Sequence, residues 1–223
     1  MPDEAGQAML TVLPERDDPY RLLVLGAHPD DIEIGCAATL MRLVADHPSA
    51  RLRWVVFSGE DARADEARRS ADALVGDPAR VALTLHGYRD GFFPYDGASI
   101  KEAFEAIKGS FEPDLILTHR LEDAHQDHRL IAELTWQTFR SAMILEYEIP
   151  KYEGDLGRPN LFVTVSPDLA DRKVQHLLTA FPSQRDRRWF SEDLFRATLR
   201  LRGIECASPS GLAEGFTCRK VTI

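Results

Sequence analysis

The sequence predicts an α/β protein with a Rossmann-like, mostly parallel sheet and helices on both faces. Two observations support this fold class. Short apolar runs of strand length alternate with longer stretches that carry apolar residues at helical spacing. The strand candidates are apolar along most of their length, as expected for parallel strands buried on both faces. Sheets of this kind bind ligands at the carboxyl ends of their strands, so the residues that follow each strand are candidates for a site.

The first two thirds of the chain fit this pattern element by element. Buried strands are predicted at residues 21–26 (RLLVLG), 52–57, 81–86 and 115–118 (LILT). Helices are predicted at residues 35–46, 63–75, 100–108 and 127–139. Gly76 is a stop signal for the second helix. The segment 87–97 is rich in turn residues and predicts a loop.

The last third has a weaker pattern. Strands are predicted at residues 144–148 and 161–165, and helices at 169–181 and 192–202. The chain has no internal repeat, low-complexity tract or linker. We therefore expect one domain over residues 1–223, with a flexible lead-in at about residues 1–18.

The composition argues against several kinds of partner. The 27 Lys and Arg residues against 36 Asp and Glu residues give a net charge of −9, and the pI is near 5.3. A body this acidic repels phosphate backbones and anionic lipids, so we expect neither nucleic acid nor a membrane as a partner. Residues 1–18 lack a signal-peptide pattern, and no apolar run is long enough to span a bilayer. We therefore expect a cytoplasmic location; the oligomeric state stays open, a homo-oligomer included.

Histidines and aspartates cluster directly after two of the predicted strands. The segment 27–33 (AHPDDIE) follows the first strand, and the segment 119–128 (HRLEDAHQDH) follows the LILT strand. Four of the seven histidines lie in these two segments. A single histidine is most often a surface or core residue, and an aspartate after a strand is most often a helix cap. Two clusters at equivalent ends of a parallel sheet instead predict one shared site.

These residue types match a catalytic zinc site. Imidazole nitrogens and a carboxylate oxygen are zinc ligands, and three protein ligands leave a fourth position open. Such a metal acidifies water and polarises a carbonyl, while a free carboxylate takes up the proton and a further imidazole stabilises the oxyanion. Spacing alone leaves open whether Asp30 or Asp31 binds the metal. The same ligand types also accept Fe2+, Co2+ or Mn2+.

The motif AHPDD, followed at a distance by H-x-D-H, resembles the LmbE-like, or PIG-L, de-N-acetylases. This family includes hydrolases of N-acetylglucosaminyl-inositol compounds and related amino-sugar conjugates. The resemblance implies that zinc is held by His28, Asp31 and His128. It also implies a small-molecule amino sugar as the substrate.

The same resemblance implies roles for three residues around the metal. Asp30 matches the general base. His125 matches the residue that assists the tetrahedral intermediate. Asp127, between the two histidines, would support the neighbouring imidazoles from behind.

Weaker matches extend the resemblance over most of the chain. They are R-x-x-E at 63–66, D-G at 90–91, S-Q at 183–184 and A-E-x-F at 213–216. Arg63 is implied to contact a sugar hydroxyl, and Asp90 to line the substrate site. The alternatives, a solvated helix face for Arg63 and a plain turn for Asp90, carry equal weight. Glu66 is expected only to pair with a neighbouring base.

Taken together, the sequence predicts a metal-dependent hydrolase that removes an N-acetyl or other N-acyl group from an amino sugar. One alternative keeps the metal site and changes the substrate to a thiol conjugate or an antibiotic precursor. A weaker alternative is a sugar- or nucleotide-binding domain without activity. The first strand–helix turn reads GAHPDDIEIG and lacks the G-x-G-x-x-G phosphate loop, which argues against a dinucleotide binder.

Overall fold

The computed structural model describes residues 16–221, so the lead-in predicted at about residues 1–18 lies almost entirely outside the described residues. The strands in this part of the chain are β1 (Arg21–Gly26), β2 (Arg51–Val56), β3 (Val81–Leu85), β4 (Leu115–His119), β5 (Met143–Tyr147), β6 (Leu161–Thr164) and β7 (Ala213–Thr217). The α-helices are α1 (Asp31–Asp46), α2 (Asp61–Val75), α3 (Gly97–Ser110), α4 (Gln126–Thr138), α5 (Pro167–Ala180) and α6 (Glu192–Glu205). None of these helices is long and apolar enough to cross a membrane.

The strands form one sheet in the order β3-β2-β1-β4-β5-β7-β6. The first five strands pair in parallel, whereas β7 runs antiparallel to both of its neighbours. The predicted fold class, a Rossmann-like and mostly parallel sheet, is confirmed. Strand β7 is an addition that the sequence pattern did not predict. Its sequence, AEGFT, carries a charge and a glycine, and the buried carboxylate of Glu214 pairs with Lys173 at 2.6 Å and accepts two backbone N–H groups.

Helices cover both faces of the sheet, as predicted. Along β1 the side chains alternate: Leu22 and Val24 pack into one core cluster, and Leu23 and Leu25 into the other. The first cluster receives apolar side chains from α1, α2 and α5, and the second from α3 and α4. The side chains of residues 22–25 in β1 are at most 1% exposed, which explains why this strand is apolar on both faces.

The strand order creates a crevice between β1 and β4. These strands are neighbours in space, but β2 and β3 with their helices separate them in the chain. The chain therefore leaves β1 towards one edge of the sheet and leaves β4 towards the other, and ligand sites form at such a point. Both histidine and aspartate clusters follow these two strands, so the fold brings them to the same crevice.

Candidate active site

The turn after β1 is held in an unusual backbone conformation. Asp30 precedes α1 with φ 101°, in the left-handed region that side chains other than glycine rarely adopt. The His28 N–H donates to Asp31 Oδ2 at 2.7 Å, and the Ile34 N–H donates to the Asp30 carbonyl at 2.9 Å. Helix α1 thus begins at Asp31, four residues before the predicted start at 35. Residues 27–30 of the AHPDD motif form the turn between β1 and α1, and only Asp31 belongs to the helix.

The segment after β4 presents its histidines at the start of α4. His125 is the N-terminal cap of the helix, and its Nδ1 accepts a hydrogen bond from the Asp127 N–H at 3.3 Å. His128 lies in the first turn and is 3% exposed. The carboxylate of Asp123 accepts the His125 N–H at 2.8 Å and contacts the Nδ1 of His128 at 3.0 Å.

Three potential ligand atoms from the two segments form a small triangle. His28 Nδ1 lies 3.2 Å from His128 Nε2, and Asp31 Oδ2 lies 3.3 Å from the former and 3.5 Å from the latter. A tetrahedral zinc ion about 2.0–2.1 Å from each ligand separates the ligand atoms by roughly 3.3–3.4 Å. The triangle therefore has the dimensions of one face of such a site.

Both imidazoles are oriented by carboxylates on their far side. His28 Nε2 contacts Asp127 Oδ2 at 3.2 Å and Asp90 Oδ1 at 3.1 Å, while His128 Nδ1 contacts Asp123. When these far nitrogens donate their protons, the near nitrogens present lone pairs to each other and to Asp31. A cation in the triangle would offset the repulsion between these lone pairs and the Asp31 carboxylate, so the residues fit a bound metal.

The surroundings of the triangle favour an ionised Asp31 and a neutral His128. Burial alone would raise the pKa of Asp31, but His128, His119 and His28 outweigh it and hold that pKa well below the ordinary value. Burial, together with the nearby His119, lowers the pKa of His128 to about 3. His128 is therefore neutral near pH 7, the state in which imidazole binds a metal.

Asp30 stands beside the triangle with one oxygen free. Its Oδ1 accepts a hydrogen bond from Arg63 Nη2 at 3.3 Å, whereas its Oδ2 is buried without a partner. Burial raises the pKa of Asp30 well above its ordinary value, against the opposing charge of Arg63. A buried carboxylate oxygen without a donor is unusual, and it points to a proton or a water that takes part in chemistry.

Asp127 occupies a different place from the one expected. It is fully buried, and its carboxylate accepts the Gly91 N–H at 2.6 Å and the Phe93 N–H at 3.1 Å. Its imidazole partner is His28 from the other segment, not the adjacent His125 or His128. Asp127 thus ties the D-G loop to His28, and the support of His128 comes from Asp123 instead.

The predicted site residues, apart from the buried Asp127, line one cavity of about 250 Å³. Its outer walls come from the loop after β5, with Lys151 and Tyr152, and from the segment after α5, with Gln184, Arg187 and Trp189. A larger groove of about 750 Å³ lies at the opposite end of the sheet, around residues 108–113 and 138–142. It carries none of the clustered histidines, so we assign the chemistry to the smaller cavity.

Sequence reasoning missed several residues that support the site. Fully buried His119 stacks on His128 with 4.0 Å between ring centroids. Glu66 pairs with no base but accepts the Ser183 N–H at 2.9 Å and its hydroxyl at 2.6 Å. It therefore joins the R-x-x-E helix to the S-Q element. The D-x-H-x-D-H spacing contains a signal for Asp123, because this carboxylate lies in the loop just before α4 and contacts the ring of His128 in the first turn of that helix.

Other sets of ligand atoms in the same cluster also converge within 4.8 Å. They are His28, His125 and His128; Asp31, His119 and His128; and His28, Asp90, His125 and Asp127. His119 Nε2 accepts the Ala27 N–H at 2.9 Å, which occupies its lone pair. His125 Nδ1 is occupied in the same way by Asp127 N–H. The triangle described above uses nitrogens that are free of such donors.

Comparison with known proteins identifies the family of this chain. The family model described as PIG-L, GlcNAc-PI de-N-acetylase, matches residues 23–139, which include both clusters. An uncharacterized deacetylase of Escherichia coli, YaiS, is 32% identical over 138 residues, covering 58% of this chain and 74% of the relative. The chain belongs to the PIG-L family of de-N-acetylases.

Solved structures share the fold at low sequence identity. The N,N'-diacetylchitobiose deacetylase from Pyrococcus horikoshii superposes with a TM-score of 0.69 at 21% identity, over 90% of this chain and 84% of the other. The 4-carboxy-2-hydroxymuconate hydratase GalB from Pseudomonas putida superposes with a TM-score of 0.71 at 16% identity, over 92% and 98% of the chains. One fold thus carries a deacetylase and a hydratase, so the fold by itself does not define the reaction.

Proposed function

We propose that this protein is a metal-dependent N-deacetylase that hydrolyses the acetamide of an amino sugar or amino-sugar conjugate. Membership of the de-N-acetylase family supports the reaction class. The observation that carries the proposal is the triangle of His28 Nδ1, Asp31 Oδ2 and His128 Nε2 beside the unpartnered Oδ2 of Asp30.

In this proposal His28, Asp31 and His128 hold the metal, for which zinc is the first candidate and iron, cobalt or manganese are alternatives. When bound, the metal polarises the amide carbonyl and makes water acidic enough to lose a proton near neutral pH. Asp127 and Asp123 keep the two imidazoles in the tautomer that faces the triangle.

Asp30 is the proposed general base. A base works best when its pKa lies near the operating pH, and the raised pKa of Asp30 moves it in that direction. Its free Oδ2 is the atom that takes up the proton. The Arg63 hydrogen bond to Oδ1 and the rigid turn after β1 hold the carboxylate in one orientation.

His125 is the proposed donor to the oxyanion. Because its Nδ1 accepts the Asp127 N–H, the neutral ring carries its proton on Nε2. This ring lines the cavity, so Nε2–H can donate to the carbonyl oxygen as negative charge develops there. A donor of this kind contributes about 3–4 kcal/mol of transition-state stabilisation.

Arg63 and Asp90 are the proposed contacts to the sugar hydroxyls. Arg63 Nη2 is occupied by Pro29 and Asp30, while Nη1 lies 3.9 Å from Asp90 Oδ2 on the cavity wall. A guanidinium and a carboxylate side by side offer a donor and an acceptor, which suits a polyhydroxylated ring. The cavity volume of about 250 Å³ is near the lower end of small-molecule sites.

The test combines metal analysis with an acetate assay. Purified wild type, His128→Ala and the control His86→Ala are compared for metal content and for acetate release from N-acetylglucosamine and its glycosides. His86 follows β3 and stacks on Phe57, outside the cavity. We expect near-stoichiometric metal and acetate release in the wild type and in His86→Ala, and the loss of both in His128→Ala.

Two results would count against the proposal. A wild type that takes up no added zinc, iron, cobalt or manganese would remove the metal site. The metal-loaded wild type could also release no acetate from any N-acetyl amino sugar but cleave acylated thiol conjugates or antibiotic precursors. That result would favour the alternative substrates for the same site.

A further inference from the structure

Lys151 is a buried lysine in an otherwise exposed stretch of chain. It belongs to the loop between β5 and β6, where residues 152–154 are exposed. Its own side chain is only 8% exposed, and its Nζ lies 2.9 Å from Asp123 Oδ1 and 2.8 Å from Asp155 Oδ2. A lysine at this depth needs carboxylate partners, and it has two.

The first of these partners contacts two of the three histidines of the second cluster. Asp123 accepts the His125 N–H with Oδ1, the oxygen that faces Lys151, and meets the His128 ring with Oδ2 at 3.0 Å. The Lys151 ammonium group is therefore separated from the proposed metal ligand His128 by one ion pair and one hydrogen bond. Lys151 holds Asp123 through Oδ1, whereas the His128 ring contacts the other oxygen, Oδ2.

The second partner fastens the loop to the same segment. Asp155 Oδ2 accepts the Ala124 N–H at 2.6 Å, and the Asp155 carbonyl accepts Arg120 Nη1 at 2.8 Å. Gly157 lies flat against the same guanidinium, since a Cβ there would come within 2.6 Å of Arg120 Cζ. The loop is thus attached to the chain between β4 and α4 at several points. Lys151 is the point that touches both Asp123 and Asp155.

We propose that Lys151 is a positioning residue, which fixes the His128 ring and the His125 main chain through Asp123. The neighbours of Lys151 in the chain, Tyr152 and Glu153, line the cavity. Lys151 therefore also couples the outer wall of the cavity to the histidines. The effect on metal affinity rests on the metal site of the proposed function, and the effect on turnover rests in addition on its reaction.

The experiment measures zinc affinity by chelator competition on the full chain. Loss of a group that orients a ligand typically weakens metal binding 10- to 100-fold, so we expect about a tenfold loss for Lys151→Met, which acts one bond further out. Lys151→Arg keeps the charge and is expected to stay within about threefold of wild type. The control is Lys101→Met, which removes another lysine of an i,i+4 ion pair, outside the cavity, and is expected to change nothing.

A double-mutant cycle with Asp123→Asn separates positioning from general destabilisation. If Lys151 acts through Asp123, the substitution Lys151→Met should have little further effect on zinc affinity in the Asp123→Asn background. Lys151→Gln is the milder variant if Lys151→Met does not fold. Unchanged zinc affinity in a folded neutral variant, or an equal fold-loss in both backgrounds, would overturn the proposal. A wild type that binds zinc but releases no acetate would contradict the deacetylase assignment. The zinc affinities of the Lys151 variants would still test the role of Lys151.

Discussion

Replacing Asp127 with Asn changes a single atom and should weaken metal binding from a distance. The carboxylate accepts three hydrogen bonds, from the Gly91 N–H, the Phe93 N–H and His28 Nε2. An asparagine keeps one oxygen as an acceptor, but its NH2 group then faces at least one of these three N–H donors. The change therefore removes at least one charge-assisted hydrogen bond inside the protein, at a cost of about 1.5–3 kcal/mol in the free energy of unfolding.

The larger effect concerns the tautomer of His28. If the new amide group faces the ring, Nε2 becomes the acceptor and the ring proton moves to Nδ1, the atom that points into the triangle. A proton there competes with the metal, so we expect zinc affinity to fall about 10- to 100-fold. Chelator competition measures the affinity, and urea unfolding of the metal-free protein measures stability.

The control for this substitution is Asp65→Asn, which removes a 63% exposed carboxylate paired with Arg68. It should leave both zinc affinity and stability within the small range of surface substitutions, about 0.5 kcal/mol. If Asp127→Asn bound zinc as tightly as wild type, the negative charge of Asp127 would not be what sets the His28 tautomer, and this reasoning would be wrong.

Three further substitutions test other parts of the structure. Gly35→Ala places a Cβ 2.2 Å from the Tyr147 ring and should lower the free energy of unfolding by about 1–3 kcal/mol in urea, whereas Gly109→Ala, with open space around it, should not destabilise; equal effects would contradict the packing. Burial raises the pKa of Asp114, but hydrogen bonds from two arginines outweigh this effect and lower that pKa to about 2. The stabilisation that the ionised Asp114 contributes is therefore present above about pH 4 and lost as the pH falls towards 2. Asp114→Asn should therefore lose about 1 kcal/mol at pH 7 and nothing near pH 2, and a constant difference across this range would argue against the ion pair. Arg63→Ala should lower kcat/KM for the amino sugar about 10- to 100-fold with metal content unchanged. An unchanged kcat/KM would instead support the alternative that Arg63 lies on a solvated helix face without contact to the substrate.

The sequence predicts the centre of the sheet and the two clusters well because both are local signals. Strand β1 is apolar at consecutive positions since it is covered on both faces, and the cluster with His28 follows it directly. The pairing of β1 with β4 follows from the general rule for such sheets, and this pairing is what joins the clusters. Local pattern and fold rule together therefore bring the two clusters to one place, whereas the choice of His28, Asp31 and His128 as ligands came from the family resemblance.

The supporting residues could not be predicted because their partners are remote in the chain. Lys151 lies 28 positions from Asp123, and only the parallel pairing of β4 with β5 brings the two loops together. The partner of Glu66, Ser183, is 117 positions away. For Asp127, the sequence neighbours suggested the wrong imidazoles, because the first turn of a helix directs its side chain away from the adjacent residues and towards the facing strand end.

The left-handed backbone conformation of Asp30, the proposed base, is energetically unfavourable. A residue with a side chain at φ 101° is strained by about 1–3 kcal/mol, and the buried unpartnered Oδ2 adds to that penalty. Glycine has no such strain, so Asp30→Gly should make the fold more stable while it removes the proton acceptor. Selection for thermal stability alone would thus favour an inactive protein at this position. With Asp30 as the base, stability and turnover would therefore conflict at one residue.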